Sequence, residues 1–213
     1  MTRPSHNTDQ RLLQAAQELL LQQGLGGLKV REVARKAGVN LGMFHYNFKN
    51  KEKFTHRVLQ ETYEKFFKEF TLESGKEGKP IDRLRGAIIT LARFIRDHRQ
   101  MVLGIFQDVL RKDKSILDFV KANVPRHVLV IIGLVRECQR EGSIRKGPLT
   151  LVMSHVMGAN LGPILILAVL EHLSIKDIRF IPVKLLGKTL ASDKAITQRV
   201  DFVLESLEPK AKR

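Results

Sequence analysis

"VREVARKAGVNLGMFHYNF", residues 30–48, holds two short helical patterns divided by one glycine. Val30, Val33, Ala34 and Ala37 recur at helical spacing and predict the inward face of a short helix that ends at Gly38. Asn40 is a good N-cap type for the helix that follows. Within that helix Phe44 and Phe48 lie four apart and share a face, where with Val39 they would pack on the preceding helices. Met43 and Tyr46, three apart, fall roughly opposite, flanked by His45 and Asn47. Leu41 is ambiguous. Periodicity turns it toward Phe44, yet a first-turn side chain can overhang the edge, so groove contact and core packing both stay open. Upstream, "TDQRLLQAAQELLLQQG" reads as a helix with Leu12, Ala15, Ala16, Leu19 and Leu20 as its apolar stripe. Thr8 or Asp9 is its expected cap and Gly24 its stop; "LGGL" then turns the chain. Two short helices joined by a tight glycine-containing turn form a helix-turn-helix unit, whose second helix can enter the DNA major groove.

Residues 38–48 carry no formal charge, although Arg35 and Lys36 precede them and Lys49, Lys51 and Lys53 follow. The whole chain has a net charge of +15, which suggests a polyanionic partner: nucleic acid first, an anionic membrane surface second. Charge by itself does not separate these from a basic surface kept for solubility. At 213 residues the chain can bury a substantial core as one large or two smaller domains. Cys138 is the only cysteine, which excludes an intrachain disulfide and a multi-cysteine metal site and suits a reducing cytosol. The first residues show no basic region followed by an apolar run, so no signal peptide is expected and a cytoplasmic location is.

Strand signals are nearly absent and the predicted fold class is all-α. "NKEKFTHRVLQETYEKFFKEFTLES" predicts a long fourth helix capped by Asn50, and residues 75–80 form a Gly- and charge-rich linker. Helices are then expected over 81–98, 100–112, 115–140, 148–172 and 193–207. Pro125 and Pro163 should kink or interrupt two of them. Residues 174–191 admit no clear assignment. Residues 149–170 are uncharged and of bilayer-spanning length, but they contain Ser154, His155, Asn160, Pro163 and three small residues. A helix apolar on all sides can equally be buried in protein, and no membrane partner is expected.

Residues 9–54 resemble the DNA-binding domain of the TetR family of bacterial transcription regulators. The resemblance rests on "LLQAAQELLLQQG", "VREVARKAGVN" and "GMFHYNFKNKEKF". It implies a three-helix DNA-binding domain over residues 1–56 and a larger helical effector-binding and dimerisation domain over residues 57–213. Position by position, it implies that Arg31 approaches a base or phosphate and that Leu41, Met43 and Tyr46 face base edges. Gly42 would let backbone approach DNA closely, and His45, Asn47 and Lys51 would hold phosphates. The free N–H groups at the start of the fourth helix suit a phosphate too. Three positions depart from the family pattern. Lys29 and Val30 stand where many members have Thr or Ser, and His45 stands where Tyr is commoner. Leu41 and Met43 offer no strong hydrogen bond to a base but can contact thymine methyl groups, leaving specificity to Arg31, Tyr46 and DNA shape.

The resemblance further implies a homodimer formed through the last two long helices, which would give the uncharged stretch a buried place without lipid. It also implies a small-molecule effector, as yet unidentified, in the helical body. Inward faces propose Phe94, Met101, Phe106, His127, Met153 and Met157 as pocket lining, each equally readable as core, with His127 or Asn160 as polar anchors. Such a lining suits a hydrophobic effector. The expected function is a palindromic-operator repressor released by that effector; the alternative is an effector-independent architectural DNA-binding protein.

Enzymatic readings find little support. "GLGG" follows a helix rather than a strand and reads as a turn. The seven histidines show no i, i+3 or i, i+4 pairing, so neither a metal nor another cofactor is expected. Ser154 beside His155 lacks the glycines of a nucleophile elbow. Cys138 reads as a small core filler.

Overall fold

The computed structural model describes residues 6–209, and in it the helical periodicities become ten α-helices and one short hairpin. In chain order these are α1 (His6–Gln23), a 3₁₀ turn (Gly24–Gly27), α2 (Val30–Ala37), α3 (Leu41–Asn47) and α4 (Lys51–Ser74). There follow α5 (Pro80–Asp97), α6 (Arg99–Leu110), α7 (Lys114–Glu141) and α8 (Leu149–His172). The hairpin β1 (Asp177–Ile178) and β2 (Ile181–Pro182) leads to α9 (Val183–Ala191) and α10 (Asp193–Glu205). Their contacts gather into two compact units, neither continuous in sequence. One holds the chain up to Lys65 with His98–Ala122, the other Phe66–Asp97 with the chain from Asn123 onward.

In the first unit the stripe of α1 is buried as its spacing requires, with Leu12, Ala16 and Leu20 fully enclosed. It meets Val33, Ala34 and Ala37 of α2, and Phe44 of α3. Gly38 ends α2 with a left-handed φ of +62°, a conformation costly to a side chain with a Cβ. Gly24 has φ +64° and lies so close to α6 that an added Cβ would stand 2.7 Å from the Gln100 carbonyl oxygen. The expected caps of α3 and α4 both form: Asn40 Oδ1 accepts from the Gly42 N–H at 2.8 Å, and Asn50 Oδ1 from the Lys53 N–H at 2.9 Å. The expected cap of α1 does not. The helix already starts at His6, so Thr8 and Asp9 lie inside it.

In the second unit α5, α8 and α10 pack on one another through Leu84, Ile88 and Leu91, Val152, Val156 and Ile164, and Ile196, Val200 and Val203. Arg85 binds Asp201 with both arms of its guanidinium, and Arg93 and Arg96 share Asp193. Arg83 ties α5 to α7 through Glu137 at 3.1 Å. Neither proline interrupts its helix; α7 and α8 run through Pro125 and Pro163. A proline removes one backbone hydrogen bond, and near Pro125 the orphaned carbonyl belongs to Lys121, where the chain is exposed to water.

The unassigned stretch is a hairpin followed by a helix. Asp177 pairs with Pro182 and Ile178 with Ile181, around a turn in which Arg179 adopts φ +58°. No Gly or Asn marks that turn, so the usual hairpin signal is missing. Among the described residues α8 is the helix long and apolar enough to cross a membrane, and 33% of its apolar window is buried inside the protein.

Candidate DNA-recognition surface

The recognition unit is held by three phenylalanines. Phe44 of α3, Phe48 just after it and Phe54 of α4 meet pairwise with ring centroids 4.7 to 5.5 Å apart, and all three are buried. Phe54 meets the other two edge-to-face, and such pairs add about 0.5–1.5 kcal/mol each beyond burial. The Arg57 guanidinium covers the Phe48 ring at 5.7 Å from its centroid. With one face of α3 committed to this cluster, the opposite face is fixed in direction.

That outer face carries Tyr46, 69% exposed. Leu41 is 37% exposed, so the overhanging arrangement is adopted over core packing. Met43 is half-buried rather than fully outward, since a seven-residue helix against a wide aromatic cluster leaves little clear outer surface. His45 is exposed with its ring edge-on to Phe44 at 5.6 Å. Asn47 is half-buried, and its Nδ2 has no hydrogen-bond partner within the chain. An added Cβ at Gly42 would meet only Asn40 Oδ1, at 3.4 Å, an ordinary contact. No internal packing therefore demands glycine there.

Cations surround this face. Arg31 is exposed in the first turn of α2, whose N-terminus at Lys29 has no side-chain cap. Lys49, Lys51 and Lys53 are exposed around the start of α4. Lys36 is already engaged with Glu18 at 2.9 Å. Arg11 escaped the sequence reading. Its Nη2 donates to the Gly38 carbonyl at 3.2 Å, bracing the turn between α2 and α3. The two residues are 27 apart in sequence, and no local pattern joins them.

The proposed effector residues divide between the units. In the second, Phe94 stacks on Phe66 with centroids 4.3 Å apart, and His127 meets Phe66 and Phe70 edge-on at 5.7 and 6.1 Å. Burial, aided by the neighbouring Arg126 charge, pushes the His127 pKa down to about 4. Met153 and Met157 are half-buried one turn apart on α8. Asn160 is buried; its Nδ2 donates to the Val156 carbonyl at 2.8 Å, while its Oδ1 has no partner. In the first unit Met101 is buried, but Phe106 is 59% exposed. Phe106 is five residues beyond Met101, about 140° around the helix, so the two cannot share an inward face. A surface groove of about 670 Å³ in the second unit is lined by Arg136, Glu137, Gln139, Arg140 and Lys146, none of them a predicted pocket residue. Burial pushes the Cys138 thiol up to about 11, which keeps it protonated and unreactive. No group of three or more His, Cys, Asp or Glu among the described residues could hold a metal ion.

A short charge-free helix on an aromatic anchor, in a tight helix-turn-helix flanked by cations, has the form of a DNA-binding unit. Residues 12–58 match the family model of bacterial regulatory proteins, tetR family. Over 146 residues the chain is 26% identical to the HTH-type transcriptional repressor KstR2 of Mycolicibacterium smegmatis, covering 68% of this chain and 70% of that protein. The crystal structure of a transcriptional regulator from Saccharomonospora viridis in complex with choline shares the fold. Its TM-score is 0.74 at 17% identity, covering 94% of this chain and 97% of that one. The structure of the ketosteroid transcriptional regulator KstR2 of Mycobacterium tuberculosis matches with TM-score 0.67 at 18% identity, covering 95% of each chain. Residues 12–58 are thus a DNA-binding domain of the tetR family, and most of the chain is similar to transcriptional regulators that carry one.

Proposed function

We propose that the protein is a homodimeric, cytoplasmic repressor that reads a palindromic operator through α3 and is released by a small hydrophobic effector. The observation that carries the reading is the outer face of α3. Tyr46 stands exposed opposite the Phe44–Phe48–Phe54 anchor, with Leu41 exposed at the overhanging first turn and Met43 half-exposed to one side. In this reading Tyr46, Leu41 and Met43 meet base edges, largely by apolar contact with thymine methyl groups. Gly42 lets the backbone of α3 approach the DNA closely, and Arg31 reaches a base or phosphate. His45 and Lys51 bind phosphates, and Asn47 joins them by turning its amide outward. The N-terminus of α4 adds free N–H groups.

Two observations support the remaining parts. Leu151, Ile166 and Val169 of α8 and Phe202 of α10 are exposed apolar residues on the two helices assigned to dimerisation. For the effector, Phe94, neutral His127, Met153 and Met157 offer apolar or weakly polar surface in the second unit, and the repressor KstR2 and a choline-bound regulator are among the similar proteins. Asn160 Oδ1 is a buried acceptor free to take a donor from such a molecule.

The test is selection of genomic DNA fragments by the purified protein, followed by footprinting. The expected result is one palindromic motif whose affinity falls steeply with salt as Lys and Arg displace counterions. Fragments sharing no motif would overturn the repressor reading in favour of an architectural protein. Thermal-shift screening of straight-chain acids, alcohols and sterols, followed by operator release, tests the effector part.

A further inference from the structure

The hairpin β1–β2 stands out on the surface. Both strands are exposed, and Phe180 in its turn is 96% exposed. Ile175, Ile178 and Ile181 are exposed around it, with Leu173 before and Leu185 after. Four side chains paired two by two do not stabilise an isolated hairpin in water, where two strands alone are marginal at best. An apolar cluster of this kind on a soluble surface marks a contact site.

The cluster continues a longer surface. Along α8, Leu151, His155, Gly158, Gly162, Ile166, Val169 and Leu173 follow one another at steps of three and four, so they line one side of the helix. Leu151, Ile166, Val169 and Leu173 are exposed, and an added Cβ at Gly158 or Gly162 would meet nothing within 4 Å. Phe202 of α10 is 72% exposed. Helix and hairpin together present on the order of 1,000 Å² of apolar surface, within the range of the apolar part of an obligate homodimer face; the helices alone supply roughly half. From Lys176 to the turn at Arg179 and Phe180 the hairpin reaches on the order of 10 Å, and a helix with its side chains is about 10–12 Å across. An arm of that length spans one helix of an opposed molecule.

We propose that residues 175–182 are a docking arm that grips a second copy of this chain, with Phe180 as its anchor. This rests on the homodimer reading above and adds to it a non-helical element. A flat lipid surface would cover the tip of the arm alone, whereas a second copy covers the arm and the α8 stripe together. The arm also bears Lys176 and Arg179, whose long stems can lie along apolar surface with their charges in water.

The experiment compares the full chain with the double variant Phe180→Ser, Ile178→Ser, and separately with Ile166→Asp, by sedimentation across concentration. Circular dichroism checks that the helices are retained. The double variant should weaken the dimer at least tenfold. Amide exchange in residues 175–182 of the unaltered chain should slow as the dimer forms, and stay fast in Ile166→Asp at the same concentration. An unaltered chain that stays monomeric overturns both the arm and the homodimer reading. A dimer weakened by Ile166→Asp but untouched by the double variant overturns the arm alone. Sedimentation with phosphatidylserine-containing vesicles, lost in the double variant while its dimer is unchanged, assigns the hairpin to lipid and likewise overturns the proposal.

Discussion

Residues 38–48 and residues 149–170 both lack formal charge, yet the two stretches are built on opposite plans. The first forms α3, seven residues long, and depends on neighbours for its place: Phe44 is enclosed, two Asn caps bracket it, and Tyr46 points away from the protein. The second forms α8, 24 residues long, with a buried stripe of Val152, Val156, Asn160, Ile164 and Leu167 and a second apolar side left uncovered. Absence of charge therefore says little by itself. In α3 it leaves an outward face suited to base edges, with the cations moved to the flanks. In α8 it reflects two apolar sides, only one satisfied within the chain. What separates them is the ratio of anchoring to exposure, which requires knowing what each helix packs against.

The largest effect should come from removing the anchor of α3. Phe44→Ala leaves a cavity in the aromatic cluster and should cost about 3–5 kcal/mol, measured by urea unfolding of the DNA-binding region. A loss under about 1 kcal/mol would break the contrast, because α3 would then hold its place without the cluster. A second test concerns the uncharged interior of the body. His127 has a folded pKa of about 4, below the ordinary 6.5, so between these values the unfolded chain binds more protons than the folded one. Stability is fully present above about pH 6.5 and falls as pH drops toward 4, by up to about 1.4 kcal/mol per pH unit. His127→Phe should flatten that part of the profile in urea titrations at several pH values.

Third comes the outer face of α3. Tyr46→Ala with Met43→Ala should reduce discrimination at contacted base pairs by about 1–3 kcal/mol. Lys51→Ala should weaken all sequences alike and lower the salt slope by about one. Fluorescence titrations on a selected operator and a scrambled one separate the two patterns; equal loss on both for the Tyr46 and Met43 variant would refute base reading by α3. The smallest effect belongs to α8. Asn160→Leu removes a buried unpartnered oxygen and should leave stability unchanged or raise it by about 1 kcal/mol. If stability instead falls clearly, Asn160 is a structural residue and its part as an effector anchor is lost.

Much of α3 was legible because its determinants are local. Asn40 and Asn50 are cap residues in cap positions, Gly38 takes the left-handed turn, and the four-residue spacing of Phe44 and Phe48 fixes the inward face. What escaped is what depends on distant partners or on unusual choices. Arg11 braces a turn 27 residues away. Phe106 looked inward until α6 fixed its register through Met101. Met43 was expected outward and is half-covered, because helical phase says nothing of how wide the packed surface is. The hairpin was unreadable because Arg179 occupies the position where Gly or Asn would have announced a turn. Thr8 and Asp9 misled for a simpler reason: a good cap residue is not a cap when the helix has already begun.

The close approach of the Gly24 turn to α6 limits how this regulator can be recombined. A Cβ at Gly24 would strike the Gln100 carbonyl, and one at Gly104 would press on Leu25 at 3.3 Å, so α6 closes the floor of the DNA-reading unit although it lies some 75 residues downstream. A chimaera that cuts after α4 and joins this head to another family member's body leaves that floor behind. The transferable module is discontinuous, and grafting has to carry residues 98–122 with the head or match their surface in the recipient.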